Sequence, residues 1–277
     1  MKQITLEELL EAGCHFGHQV QRQNPKARDY IFEARDGIHI IDLAKTKEGL
    51  ESAGEFIKEK AAQDGTIIIV GTKRQAQPIV IAEIERAKKE GATGIFFVTH
   101  RWIGGTLTNV AEVSKNYKKL KDLTKMLKDE DQMAKYTKRE LGLFEKERQK
   151  LELFYGGIDE MTQKPTVMFI VDTHTEVLAV REARAENIPT VGITDTNADP
   201  LIIDHPIPAN DDAVGSLQLL ISYIMDAWIE GKKEGNKPVK VENKEVREIT
   251  PEQKSPEAEP KKKVTAKEKK SKELKGE

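Results

Sequence analysis

The chain has 277 residues, of which 38% are hydrophobic and 33% charged, and 45 Lys plus Arg against 47 Asp plus Glu leave a net charge of −2. That balance excludes a uniformly basic nucleic-acid binder, and the low apolar share places the excess charge on exposed helices or tails. One cysteine, Cys14, rules out an intrachain disulfide, and no run nears the roughly 18 apolar residues of a membrane span, so a soluble, cytoplasmic protein with no membrane partner is expected.

The N-terminal segment, residues 1–13, is too polar for a signal peptide. Gly13 to Gln19 then brings Cys14, His15 and His18 together between glycines. A metal site completed by Asp195, Asp199 or Asp211 is one reading, but no second Cys/His pair matches it, and histidines hydrogen-bonded in a tight turn are expected instead. Arg22, Lys26 and Arg28 around Asn24-Pro25, with Arg35 downstream, form a cationic, Pro-shaped loop suited to phosphate.

Short apolar, β-branched runs follow at Ile38–Leu43, Thr66–Val70, Ile95–Val98, Thr166–Val171 and Thr190–Thr194. Most lack alternation, as strands buried on both faces do. Helical patterns lie between them at Lys45–Asp64, Gln75–Glu90 and Thr175–Asn187, and a last helix is expected at Val214–Gly231. Alternating strands and helices predict a parallel sheet with right-handed crossovers. The loop from Gly71 to Ala76 opens a helix and offers Lys73 and Arg74 to a phosphate, though it matches no nucleotide fingerprint. At the end of the next strand, Arg101 and Trp102 offer a charged fork and a stacking plane, or Trp102 caps the sheet.

Residues 106–157 break the rhythm. Apolar residues at Val110, Val113, Tyr117, Leu120 and Leu127, with Thr124, are spaced as a heptad seam, and a second seam runs through Leu141, Phe144, Arg148, Leu151 and Tyr155. An inserted antiparallel helical hairpin turning at Asp129–Asp131 is predicted. Its residues 115–150 hold 12 Lys/Arg against 7 Asp/Glu, with Lys118 and Lys119 as RNA-facing candidates. The carboxylates from Asp195 to Asp212 read as turn formers and helix caps, with Asn210 or Asp211 capping the last helix. From about residue 237 Pro, Lys and Glu dominate, predicting disorder. The expected organisation is an α/β domain over 1–105 and 158–232, the hairpin over 106–157 and a disordered tail over 233–277.

The blocks Leu9–Gln19, Asn24–Lys26, Gly37–Thr46, Gly71–Gln77, Arg101–Asn109, Asp195–Pro200 and Ile207–Ala213 occur in the order of the bacterial-type second small-subunit ribosomal protein family, which the chain resembles over residues 4 to about 231. It departs at Gln21–Gln23, where an Arg/Trp-rich stretch is usual, at Asp172, which no Pro follows, and at Cys14. The resemblance implies a flavodoxin-like parallel sheet with an inserted hairpin and no catalytic activity; no cofactor, metal or small-molecule substrate is expected. It also implies docking on small-subunit ribosomal RNA, contacts with neighbouring small-subunit ribosomal proteins and anchoring of a large one. The competing readings are a sugar-phosphate or nucleotide-binding enzyme of flavodoxin-like fold, with Lys73, His100, Asp172 and Asp195 lining its site, and a coiled-coil adaptor binding only protein.

Overall fold

The structure, a computed structural model, describes residues 3–235; the expected disordered tail beyond Gly235 lies outside them. Helix α1 (Leu6–Glu11) opens the chain with a capping box: Thr5 Oγ1 accepts from Glu8 N at 3.2 Å and Thr5 N donates to the Glu8 carboxylate at 3.1 Å.

Strands β1 (Phe16–Gln19), β2 (Ile31–Arg35) and β3 (Ile38–Ile41) form a small antiparallel sheet in the order β1-β3-β2. This corrects the expectation for Ile38–Leu43, which is not a strand of the parallel sheet. The cause is local. Asp36 and Gly37 take φ of 51° and 80°, the conformation of a two-residue hairpin turn, and fold β2 back on β3.

The main sheet comprises β4 (Ile67–Val70), β5 (Ile95–Val98), β6 (Val167–Ile170), β7 (Thr190–Thr194) and β8 (His205–Pro208), all parallel, in the order β5-β4-β6-β7-β8. Counted along the chain this is 2-1-3-4-5, the flavodoxin order, with its switch point between β4 and β6. The first four strands fall where their apolar runs predicted; β8, with two prolines in four residues, gives no such run. Ala209 N donates to Thr194 O, so by alternation the nitrogens of Pro206 and Pro208 lie on the outer side of the sheet, where an edge strand tolerates proline. The Thr46 hydroxyl donates to Pro208 O on that side.

Helices α2 (Leu43–Ala62), α3 (Ala76–Lys89) and α8 (Val214–Gly235) cover one face over Ile67, Ile69, Phe169 and Val191, and the fully buried Trp228 donates to Thr93 O at 3.2 Å. Helix α8 runs a turn beyond its expected end. The other face, Ile68, Val70, Met168 and Ile170, packs under α7 (Val177–Ala185) and the bases of α4 (Val110–Met126) and α6 (Lys138–Tyr155). Strands with both faces covered bury nearly every side chain, which explains the unbroken apolar runs.

Helices α4 and α6 pair as the heptad spacing predicted. Val113, Tyr117 and Leu120 are buried, Tyr117 meets Tyr155 edge-on at 5.5 Å, and a one-turn helix α5 (Glu130–Met133), capped by Asp129, sits at the bend. Arg148 is half-buried at its seam position while its head pairs with Glu145 at 3.0 Å on its own helix.

Candidate functional site

The carboxyl ends of β4, β6, β7 and β8 deliver Lys73, Asp172, Asp195 and the Asn210–Asp212 turn to one place, and strand β1, which carries His18, closes over them. The strand can approach because residue 17 is glycine: a Cβ there would lie 2.7 Å from Thr196 Cγ2. His18 N donates to Thr196 Oγ1 at 2.9 Å, and Asn24 N to Thr196 O at 2.8 Å.

Lys73 Nζ lies 3.1 Å from Asp172 Oδ2, 2.8 Å from Asp211 Oδ1 and 2.8 Å from Asp212 Oδ1. Asp172 Oδ1 accepts from His174 N and Thr175 N at 2.9 and 2.8 Å, and Oδ2 from the Thr175 hydroxyl at 2.7 Å. In this fold class a bound phosphate uses the amides and the cation at the switch point. Here the protein's own carboxylates take them. His18 Nδ1 lies 3.0 Å from Asp195 Oδ2, and Nε2 lies 3.6 Å from Asp212 Oδ2.

These contacts set the charge states. Burial opposes the Lys73 ammonium, but Asp211, Asp212 and Asp172 outweigh it and hold its pKa above the ordinary value. Asp172 is buried too, yet Lys73 and Thr175 keep its carboxyl below the ordinary range. Asp211 is pushed up to about 8, first by burial and then by repulsion from Asp172 and Asp195, which Lys73 only partly offsets. His18 is raised by its hydrogen bond to Asp195, against burial, with Asp211 and Asp212 adding to the effect.

One ligand atom each from His18, Asp195 and Asp211 lies within 4.8 Å of the others, a set able to hold a divalent cation. Of the other residues considered for a metal, His15 packs on Phe16 with ring centroids 4.0 Å apart, and Asp199 caps the turn Pro200–Ile202 while pairing with Lys26 at 2.6 Å. Cys14 is buried, and burial raises its thiol.

The cationic candidates divide into two groups. Arg22, Arg28, Arg74, Arg101 and Lys118 are exposed and have no carboxylate partner among the described residues. Lys26 pairs with Asp199, Lys73 is enclosed in the cluster, and Lys119 bridges to Glu147 across the hairpin. Trp102 is 4% exposed. Its ring packs inside with Val98, Leu107 and Ala179 and presents no face to a base; of the two readings of this residue, capping the sheet fits. His100 is exposed beside Arg148 and Glu152, away from Lys73, so the residues named for an enzyme do not all converge.

Sequence reasoning missed Glu182. It is 6% exposed and accepts from Trp102 Nε1, Gly105 N, Leu107 N and Thr108 Oγ1. A Glu in an otherwise apolar stripe of α7 was the available signal. Comparison with known families gives one finding: the family model described as ribosomal protein S2 matches residues 9–231.

Proposed function

Because the chain belongs to the ribosomal protein S2 family, a structural, non-enzymatic kind of small-subunit component in the cytoplasmic ribosome, we propose that it docks on small-subunit ribosomal RNA through the rim at the carboxyl ends of its parallel strands. One observation carries this reading: Arg22, Arg74 and Arg101 stand exposed around that rim with no carboxylate among the described residues to neutralise them, whereas the half-buried Lys73 is fully paired. Unpaired guanidinium groups on loops suit backbone phosphate, and RNA binding is typical of the family. No helix among the described residues is long and apolar enough to cross a membrane.

The crevice itself argues against the nucleotide-enzyme reading. Its cation and its turn amides are already bound to Asp172, Asp211 and Asp212, and an incoming phosphate would have to displace them. In our reading the hairpin over 106–157 acts as an insert in the domain 1–105 and 158–232. Its Lys118, exposed and without a carboxylate partner among the described residues, faces RNA, and the protein as a whole helps anchor a large neighbouring ribosomal protein.

The test is charge reversal on the rim. Arg74→Glu with Arg101→Glu should leave the protein folded but reduce its co-sedimentation with small subunits on sucrose gradients, more severely as salt rises. Unchanged co-sedimentation of the double variant at elevated salt would sink the rim as the docking surface.

A further inference from the structure

We propose that Glu182 is the positioning residue that aims Arg101 and fixes the departure of the hairpin, a role that rests on the docking reading above. Four donors from one loop converge on this single carboxylate. Oε1 accepts from Trp102 Nε1 at 3.2 Å and from Gly105 N at 2.8 Å; Oε2 accepts from Leu107 N at 3.0 Å and from Thr108 Oγ1 at 3.3 Å. The other buried positions of α7, Ala179, Val180 and Ala183, are apolar, and an apolar residue at 182 would fill the space without the expense of burying a charge. What the carboxylate adds is the path of the loop.

That path has two outputs. Arg101 immediately precedes the anchored Trp102, so the exposed guanidinium extends from a backbone held on one side by the strand end at Val98 and on the other by the clamped indole. Gly105, at φ 92°, turns its amide toward Glu182, and its carbonyl accepts from Asn109 N at 2.8 Å, one residue before α4 begins. The same carboxylate therefore sets the direction of Arg101 and the start of the hairpin. Glutamine cannot replace it. All the backbone and indole groups facing the two oxygens are donors, and an amide NH2 would oppose at least one of them.

The experiment uses the full chain and small subunits stripped of this protein. Binding is titrated over a range of salt for the parent, Arg101→Ala, Glu182→Gln and the double variant, and thermal unfolding of each free protein is recorded in parallel. The expected result is that Glu182→Gln weakens binding about tenfold. It should also flatten the log–log salt slope by about one, as Arg101→Ala does, and the double variant should keep the slope of Arg101→Ala, any weaker binding beyond it reading the hairpin. Mere destabilisation would lower the unfolding midpoint but leave the salt slope at the parent value. Parental binding and slope for Glu182→Gln, with Arg101→Ala impaired, would overturn the role of Glu182 while leaving docking through the rim intact. Parental behaviour of Arg101→Ala would instead remove Arg101 from the docking surface, and the proposal with it. If Glu182→Gln does not fold, Trp102→Phe decides: it deletes the indole donor along with part of the ring and should weaken binding two- to threefold, and parental binding would again overturn the proposal.

Discussion

Asp211 sits almost fully buried with its carboxyl pushed up to about 8, against 3.8 for the ordinary group. A carboxyl with a raised folded value stabilises the fold while protonated; that contribution is complete below the unfolded value and is lost as pH climbs to the folded one. His18, raised above 6.5, acts in the same direction and loses its contribution as pH rises through its folded value. Asp172 runs the opposite way, but only as pH falls below 3.8. We therefore expect the unfolding temperature to decline from about pH 4 to about pH 8, with a chelator present to exclude bound cation, and Asp211→Asn to flatten that decline. Calorimetry across the range checks both, and a level profile for the parent would contradict the charge assignment. At this scale the sequence was hardest to read. Trp102 beside Arg101 looks like a stacking plane because adjacency along the chain carries no information about which side chain turns inward. Glu182 lies 80 residues from Trp102, and only the packing of α7 on the loop reveals the pairing.

Among elements, the hairpin shows how far periodicity reaches. The heptad spacing located both helices and the buried Val113, Tyr117 and Leu120, because a narrow apolar stripe can be satisfied only by a matching stripe. Leu120→Ala should cost about 2–4 kcal/mol where the seam joins the core of the main sheet. Hydrogen exchange should then rise in α4 and α6 while β4 and β6 stay protected; equal loss everywhere would mean the hairpin does not open separately. Arg148→Leu should raise the unfolding temperature, since the seam position is half-buried and the pairs of Arg148 are with exposed glutamates on its own helix. Other elements mislead for physical reasons. Asp36-Gly37 is a hairpin signal that the apolar run after it obscures, so Ile38–Leu43 reads as a strand of the wrong sheet. β8 carries two prolines, which count against a strand except at an edge. Helix α1, held by the Thr5–Glu8 capping box, has too few residues to show a period.

For the molecule as a whole, charge is divided by location: buried cations are paired and rim arginines are not. If docking depends on those arginines, the number of phosphate contacts is readable as the slope of log affinity against log salt, at roughly 0.7–0.9 per contact. Arg22→Ala and Arg74→Ala should each lower that slope by about one with little change in unfolding temperature. A slope that ignores both would place the RNA elsewhere on the surface.

The prolines of β8 also bear on the time before assembly. A ribosomal component is made apart from its particle, and an open parallel sheet at high concentration invites strand addition from another copy. Pro206 and Pro208 remove the outward amides, and the Thr46 hydroxyl occupies an outward carbonyl. Helix α2 completes the cover: Gly49 comes so close to Pro206 O that a Cβ there would lie 2.7 Å from it, so the unassembled chain presents neither free amides nor free carbonyls at this edge.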